Sequence, residues 1–339
     1  MQAKQILVTG GAGYIGSHAC LELLENGYDV IVIDNLCNSS FKSIKRVEKL
    51  SGKKISFIEE NIQSKSGIKE VFNQNKIDAV IHFAGLKAVG ESVIKPITYY
   101  QNNVAGTLNL LQIMQHNNVK NIVFSSSATV YGQPEILPIK EDFLTSATNP
   151  YGRSKLYIER MLKDMHSADS SWNISILRYF NPVGAHESGE LGEDPNDIPN
   201  NLMPYISQVA AGKLPHLFVY GNDYATRDGT GIRDYIHVTD LVKGHLRALK
   251  RLEDKPGIIT HNLGTGIGIS VLEMVSAFEK ESNQKIKLKI VERRPGDIAE
   301  CFADPTKAEQ ELGWKAELNL EAMCKDTWRW QSKNPNGYS

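Results

Sequence analysis

Gln5-Ile-Leu-Val-Thr-Gly-Gly-Ala-Gly-Tyr-Ile-Gly16, read with the two segments that follow it, decides the fold. Residues 5–9 are a short apolar run with β-branched members, which reads as a buried strand. Glycines at 10, 13 and 16 come at once, and Ser17-His-Ala-Cys-Leu-Glu-Leu-Leu-Glu25 reads as a helix. A second run, Asp29-Val-Ile-Val-Ile-Asp34, ends on an acid. Strand, glycine turn, helix, strand and terminal carboxylate is the order of a dinucleotide-binding βαβ unit. Gly10, Gly13 and Gly16 serve a tight turn, close approach of backbone to a pyrophosphate, and close helix–strand packing. The helix N-terminus adds N–H donors and a positive dipole end. Asp34 can accept hydrogen bonds from both ribose hydroxyls of an adenosine and would repel a 2′-phosphate, so the pattern selects NAD over NADP.

Working outward, strand and helix signals go on alternating. A helix around Ser43–Leu50 leads to Ile55–Ile58, one near Gly67–Asn75 to Asp78–Phe83, a long one from about Ile97 to His116 to Lys120–Ser125, and one through Tyr151 to Asn173–Tyr179. Repeated βα units build a parallel sheet covered on both faces, with the ligand outside the carboxyl ends of the strands. Asp34, Phe83, Ser125–Ser127 and Tyr179 all fall at such ends. From Asn181 the texture changes. Pro182 to Asn201 is rich in Gly, Pro, Asp and Asn and reads as a long loop over a surface or cleft, of the kind that is usually functional or disordered, and the later elements are short and mixed. The expected architecture is a Rossmann-type doubly wound parallel α/β sheet over 1–180. A smaller mixed α/β substrate-binding domain follows over 181–339, with some segments packing back on the first.

With 339 residues there is room for one large or two ordinary domains. A net charge of −1 with 23% charged residues gives no reason to expect a nucleic-acid or membrane-surface partner. The four cysteines, Cys20, Cys37, Cys301 and Cys324, have no metal-ligand spacing, so no metal is expected and reduced thiols in a cytoplasmic protein are the simplest account. No long apolar stretch occurs and no charged-then-apolar leader precedes Gln5, so neither membrane insertion nor export is expected.

Chemistry enters at Asn149-Pro-Tyr-Gly-Arg-Ser-Lys155, just past Ser125-Ser-Ser-Ala-Thr-Val-Tyr-Gly132. On a helix, Tyr151 and Lys155 share a face. An ammonium beside a phenol favours the phenolate, and a drop in pKa from about 10 to roughly 7 would make the tyrosine a usable base at neutral pH. Ser127 can donate and accept at once, and so can bridge a substrate hydroxyl to the tyrosine. A Tyr-x-x-x-Lys pair alone also occurs as an ordinary exposed helical pair. Behind a nucleotide fingerprint it reads as a general acid/base.

The glycine fingerprint, Ser127 and the Tyr151/Lys155 pair resemble the extended short-chain dehydrogenases/reductases. His82-Phe-Ala-Gly-Leu-Lys-Ala-Val-Gly-Glu-Ser92, the Ser125–Gly132 segment, Arg178-Tyr-Phe-Asn-Pro-Val-Gly-Ala-His186, Asn200-Asn-Leu-Met-Pro204, Gly231-Ile-Arg-Asp-Tyr-Ile-His-Val238 and Asp326-Thr-Trp-Arg-Trp-Gln-Ser332 are similar to the UDP-glucose 4-epimerase family. The resemblance covers nearly the whole chain. It implies transient oxidation at sugar C4 by NAD through a 4-keto intermediate, with catalytic Ser127, Tyr151 and Lys155. It further implies cofactor contacts from Tyr14, Ile15, Asp34, Asn35, Asn38, Ser39, Asn61, Ile62, Phe83, Ala84, Lys87, Asn102, Ser125, Tyr151, Lys155 and Tyr179. UDP-sugar contacts would come from Lys87, Ser127, Tyr151, Asn181, Asn201, Leu202, Tyr220, Arg233, Arg294, Asp297 and Cys301, and the assembly would be a homodimer. Arg233 and Arg294 suit a pyrophosphate because a guanidinium offers paired donors, although surface arginines are commonly just solvated.

Two positions depart from the family pattern. Asn61 stands where an aspartate usually lies near the adenine; an amide still donates and accepts. Cys301 stands where some members carry a tyrosine against the sugar. It reads either as a small buried hydrophobe or as room beside C2 for the acetamido group of UDP-N-acetylglucosamine and UDP-N-acetylgalactosamine. A nucleotide-sugar 4,6-dehydratase would need extra acid and base groups beside the serine, and Ala128-Thr129 offers no carboxylate. A non-catalytic NAD-binding redox sensor would not need an intact Ser127, Tyr151 and Lys155.

Overall fold

The computed structural model describes residues 3–338 other than 197 and 295. The chain divides into two compact units, one of Met1–Gln133, Phe143–Tyr179 and Val242–His261, the other of Pro134–Asp142, Phe180–Leu241 and Asn262–Ser339.

The first unit is built on β1 (Gln5–Thr9), α1 (Tyr14–Glu25), β2 (Asp29–Asp34), α2 (Phe41–Ser51), β3 (Ser56–Glu59), α3 (Lys65–Gln74), β4 (Ala79–His82), α4 (Val89–Ile94), α5 (Pro96–Tyr99), α6 (Gly106–His116), β5 (Asn121–Ser125), α7 (Pro150–Ala168) and β6 (Asn173–Tyr179). A further strand, Ile258–Leu263, returns late in the chain and completes a seven-stranded sheet beside β6. The order from the other edge is β3-β2-β1-β4-β5-β6, so the strand order reverses between β1 and β4. The ladders are parallel, pairing Thr9 with both Ile33 and His82, and Ser125 with Leu177. Strands covered on both faces need apolar side chains on both, and residues 30–33 of β2, Val-Ile-Val-Ile, are all buried. Over one face, Ile68, Phe72, Leu110, Met114, Ile158 and Leu162 of α3, α6 and α7 pack with Leu7, Ile31, Val80, Ile122 and Ile174.

One expectation changes here. The helical stretch from Ile97 to His116 is not a single α-helix: α5 passes into a π-helical segment, Tyr100–Ala105, before α6. Such a bulge inserts an extra residue into the turn and re-aims its neighbours. Here it turns Asn103 inward, where it holds Leu86 N–H (2.8 Å), Leu86 O (3.0 Å) and the Ser154 hydroxyl (3.0 Å).

The second unit contains β7 (Asn181–Val183), α8 (Leu202–Ala210), β8 (Leu217–Tyr220) and β9 (Ile232–His237); α9 (Val238–Arg251) follows and belongs to the first unit from Val242 on. After β10, the late strand Ile258–Leu263 already described, come β11 (Gly268–Ser270), α10 (Val271–Ser282), β12 (Leu288–Val291), β13 (Glu300–Cys301), α11 (Thr306–Leu312) and α12 (Leu320–Lys333). β7, β11 and β13 gather around β9, and β8 pairs with β12 as a parallel ribbon. Met203, Ile206, Tyr235, Met274, Phe278, Met323 and Cys324 form its core. The expected loop from Pro182 starts inside β7, whose Asn181 faces Tyr235; beyond Gly184 it carries no strand or helix among the described residues until α8.

Candidate active site

In the first unit most predicted cofactor positions lie just past the carboxyl end of a sheet strand, because parallel βα units place these connecting turns at one edge. Gly10 has φ +72°, and a Cβ there would lie 2.8 Å from Ala84 N; one on Gly16 would lie 2.1 Å from Gly10 O. Only glycine fits either place, so the backbone of the β1–α1 turn lies bare. Gly13 caps α1 without a side chain on its first N–H groups, and Tyr14 and Ile15 begin the helix. Asp34 closes β2. Its carboxylate accepts from Ala12 N–H (3.0 Å), Leu36 N–H (2.9 Å) and the Ser39 hydroxyl (2.7 Å). Asn35 and Asn38 lie in the same turn, where Asn35 Oδ1 accepts from Cys37 N–H. Asn61 and Ile62 follow β3, Asn61 turning its own loop through Gln63 N–H (2.9 Å). Phe83, Ala84 and Lys87 follow β4, and Asn102 lies in the π-helical segment. The bare glycine turn, the uncapped helix start and the fixed carboxylate together fit a dinucleotide.

Helix α7 starts sharply because Asn149 accepts from Gly152 N–H (2.9 Å) and Pro150 takes the first position. Tyr151, Lys155 and Glu159 form one buried stripe along it. Ser127 lies two residues past β5, and its hydroxyl favours the ionised form of the Tyr151 phenol. It also accepts from the Thr129 hydroxyl (3.0 Å) and N–H (3.2 Å). Lys155 Nζ donates to Ser125 O at 2.7 Å and lies 5.0 Å from the Phe124 ring centre. Ser125 Oγ and His245 Nε2 are 2.7 Å apart.

The electrostatics correct one expectation. Burial pushes the Tyr151 phenol up, with the Ser127 hydroxyl pulling the other way. Burial pushes Lys155 down to about 8, opposed by the Glu159 carboxylate. Desolvation thus dominates at the phenol and leaves it above its ordinary value.

Beneath the serine run lies a charged cluster that no sequence motif announced. Ser126 Oγ donates to Glu159 Oε1 (2.5 Å), Arg178 Nη2 pairs with Glu159 Oε2 (2.6 Å), and Arg178 Nη1 donates to the Tyr131 hydroxyl (3.0 Å). Glu159 could have been found, since it continues the 151/155 spacing by another four residues. Arg178 and His245 had no local signal.

In the second unit the predicted sugar-nucleotide positions fall into two groups. Tyr220 ends β8, and the turn after its partner β12 carries Arg294, whose guanidinium lies 4.3 Å over the Tyr220 ring. Cys301 of β13 faces Arg233 of β9, and Arg233 Nη2 comes within 4.0 Å of Asp297 Oδ1. Arg233 is fixed by donation to Ile232 O (2.8 Å). Below it Asp234 is buried and accepts from Thr265, Gly266 and Ala303 backbone N–H groups. Cys301 is half-buried, its thiol pushed up to about 11 by burial. The other group is Asn181, exposed at the start of β7, with Asn201 and Leu202 at the start of α8. Asn201 Nδ2 donates to Glu193 Oε1 (3.1 Å).

Comparison with known proteins gives consistent results. A family model described as GDP-mannose 4,6 dehydratase matches residues 7–327. The UDP-glucose 4-epimerase of Bacillus subtilis (strain 168) is 60% identical over 333 residues, 98% of either chain. The crystal structure of the UDP-glucose 4-epimerase from Bifidobacterium longum in complex with NAD+ and UDP is 57% identical. It superposes with a TM-score of 0.96, covering 98% of this chain and 100% of that one. The UDP-Glc/GlcNAc 4-epimerase of Campylobacter jejuni is 36% identical with a TM-score of 0.85, over 98% of this chain and 100% of that one.

Proposed function

The chain belongs to the UDP-glucose 4-epimerase family, and from that premise we propose how its side chains divide the reaction. It is an isomerase that interconverts UDP-galactose and UDP-glucose, with NAD as its cofactor. A dehydratase is not favoured: relatives 56–61% identical over nearly the full length are named epimerases, and residues 128 and 129 bear no carboxylate.

The observation that carries the division of labour is the burial of Ser127, Tyr151 and Lys155, with the tyrosine and the lysine one turn apart on the same face of α7. We assign the NAD to Gly10, Gly13, Tyr14, Ile15, Gly16, Asp34 and the strand-end positions that follow. When bound, NAD supplies a hydride acceptor for sugar C4, a positively charged ring, and the return of that hydride to the other face of the 4-keto sugar. Tyr151 takes the proton of the 4-hydroxyl and gives it back. Ser127 orients the 4-oxygen and relays that proton. Lys155, held on Ser125 O, contributes the charge that favours the phenolate. Because burial alone keeps the phenol protonated, the base needs further positive charge beyond Lys155. Arg233 and Arg294 clamp the pyrophosphate, Arg294 stiffened by its stacking on Tyr220. Asn181, Asn201 and Leu202 hold the rest of the UDP.

Cys301 leaves room that a tyrosine would fill, so UDP-N-acetylglucosamine and UDP-N-acetylgalactosamine are further substrates. A homodimer is supported by exposed Val93, Ile94, Ile97, Leu108 and Tyr157 on α4 to α7, an apolar strip of the kind that marks an interface. None of the four cysteines is in a disulfide, which is consistent with a cytoplasmic setting. Among the described residues no helix is long and apolar enough to cross a membrane.

Incubating the purified protein with UDP-galactose and no added reductant tests the reading. Formation of UDP-glucose supports it; loss of water would mark a dehydratase, and an unchanged sugar a binding protein without chemistry.

A further inference from the structure

The loop between β7 and α8 has almost no regular backbone pairing of its own, yet a row of its carbonyls is occupied. Arg329 Nη1 donates to Glu187 O (2.6 Å), Lys333 Nζ to Ser188 O (2.8 Å) and Asn334 Nδ2 to Gly189 O (2.9 Å). The Tyr338 hydroxyl donates to Gly192 O (3.2 Å), and the Trp330 indole N–H to Glu193 O (3.1 Å). Five side chains from one short segment thus hold five loop carbonyls, each of which would otherwise need a partner of its own. The fit is close as well. A Cβ on Gly192 would lie 2.3 Å from Trp330 Cγ, and the Tyr338 N–H closes the far end on Asp194 Oδ2 (2.8 Å). The link then continues to a substrate position: Glu193, whose carbonyl Trp330 holds, receives Asn201 Nδ2 on its own carboxylate at 3.1 Å.

We propose that the segment Arg329–Tyr338 is a positioning element for the UDP-sugar, fixing the loop 184–194 so that Glu193 presents Asn201 and the start of α8 to the nucleotide. None of its side chains touches substrate; they act through the loop. This rests on the reading that Asn181, Asn201 and Leu202 hold the UDP. A preorganised loop is ordered before binding, so its ordering does not count against affinity. Loosening it weakens ground-state binding of the nucleotide and leaves the proton transfer at Tyr151 alone.

The test uses the holoenzyme with Trp330→Phe and Tyr338→Phe, singly and together, and a chain ended after Lys333. UDP affinity is measured by calorimetry, with KM and kcat for UDP-galactose, retained NAD by absorbance, and melting temperature. In the double variant the UDP dissociation constant and KM rise together by about tenfold, the scale of one or two lost hydrogen bonds. NAD stays bound and kcat changes little. Since the single variants keep an aromatic ring at both positions, they carry the test if the shortened chain does not fold. Wild-type UDP affinity in a folded double variant overturns the proposal, as does a fall in kcat with KM unchanged. Asn201→Ala separates the two readings. If it weakens UDP while the aromatic variants do not, the positioning role alone falls. If it leaves UDP affinity unchanged, the substrate reading falls and takes the proposal with it.

Discussion

The two units hold their proposed site residues by opposite means. In the first, Ser127, Tyr151, Lys155 and Asp34 are buried and fixed by regular strands and helices. In the second, Asn181, Asn201, Tyr220, Arg294 and Asp297 are exposed at element ends and turns, and Arg233 is half-buried. Burial makes charge expensive and geometry exact enough for proton transfer; exposure leaves charged groups cheap and able to adjust around a ligand. Each kind of loss should therefore appear in a different quantity. Changes in the buried set should move kcat or folding stability, and changes in the exposed set should move substrate affinity.

Tyr151→Phe should show the largest effect. It keeps the ring and removes the proton acceptor, so kcat should fall by about 10²–10⁴-fold, the usual contribution of a general acid/base, with NAD retained. A kcat near wild type would break the assignment.

Lys155→Met sharpens the contrast because function and folding should move apart. An unfolded lysine holds its proton to about pH 10.4, the folded one only to about 8. Folding therefore expels a proton between those values, and stability rises with pH across that window. Below it the native state carries a desolvated charge. In nucleotide-free protein the variant should be more stable at pH 7, by up to about 3 kcal/mol, since each tenfold loss of proton affinity is worth about 1.36 kcal/mol, while activity is lost. The advantage should fade between about pH 8 and 10.4. Denaturant melts across that range decide it; a variant less stable than wild type at pH 7 would show that Lys155 is not held against its charge.

Arg233→Ala should raise KM for UDP-galactose by roughly 10–100-fold, the value of a charge-assisted phosphate contact, with kcat the lesser casualty. A pure kcat loss would place Arg233 with the buried set. Smallest is Cys301→Tyr. Overpacking costs about 1–3 kcal/mol, so activity on UDP-N-acetylglucosamine should be suppressed and that on UDP-galactose spared. A wild-type protein inactive on the N-acetylated sugar would remove this reading of Cys301 and leave the epimerase assignment intact.

The same contrast explains what could be read in the sequence. β1, β2, β4 and β5 each hold a continuous apolar run, because strands covered on both faces have no polar side to break the pattern. The shared buried face of Tyr151 and Lys155 was legible from their four-residue spacing, and the position of Asp34 from the acid that closes the second run. Strand Ile258–Leu263 was missed because Thr260, His261 and Asn262 break its apolar pattern; His261 and Asn262 are nonetheless buried. β7 carries Pro182, which argues locally against a strand, and β13 has only two residues, too few for any period. The Glu159–Arg178 pair and the side chains bracing the loop 184–194 depend on contacts across 19 and more than 130 positions, where no local pattern reaches.

The central claim is that the hydrogen at sugar C4 leaves and returns within one site. Purified protein in deuterium oxide, given UDP-galactose and no free nucleotide, should produce UDP-glucose whose C4 hydrogen, followed by proton magnetic resonance, stays protium, with no NADH released into solution. Deuterium at C4 of the product, or NADH released in step with product, would contradict it.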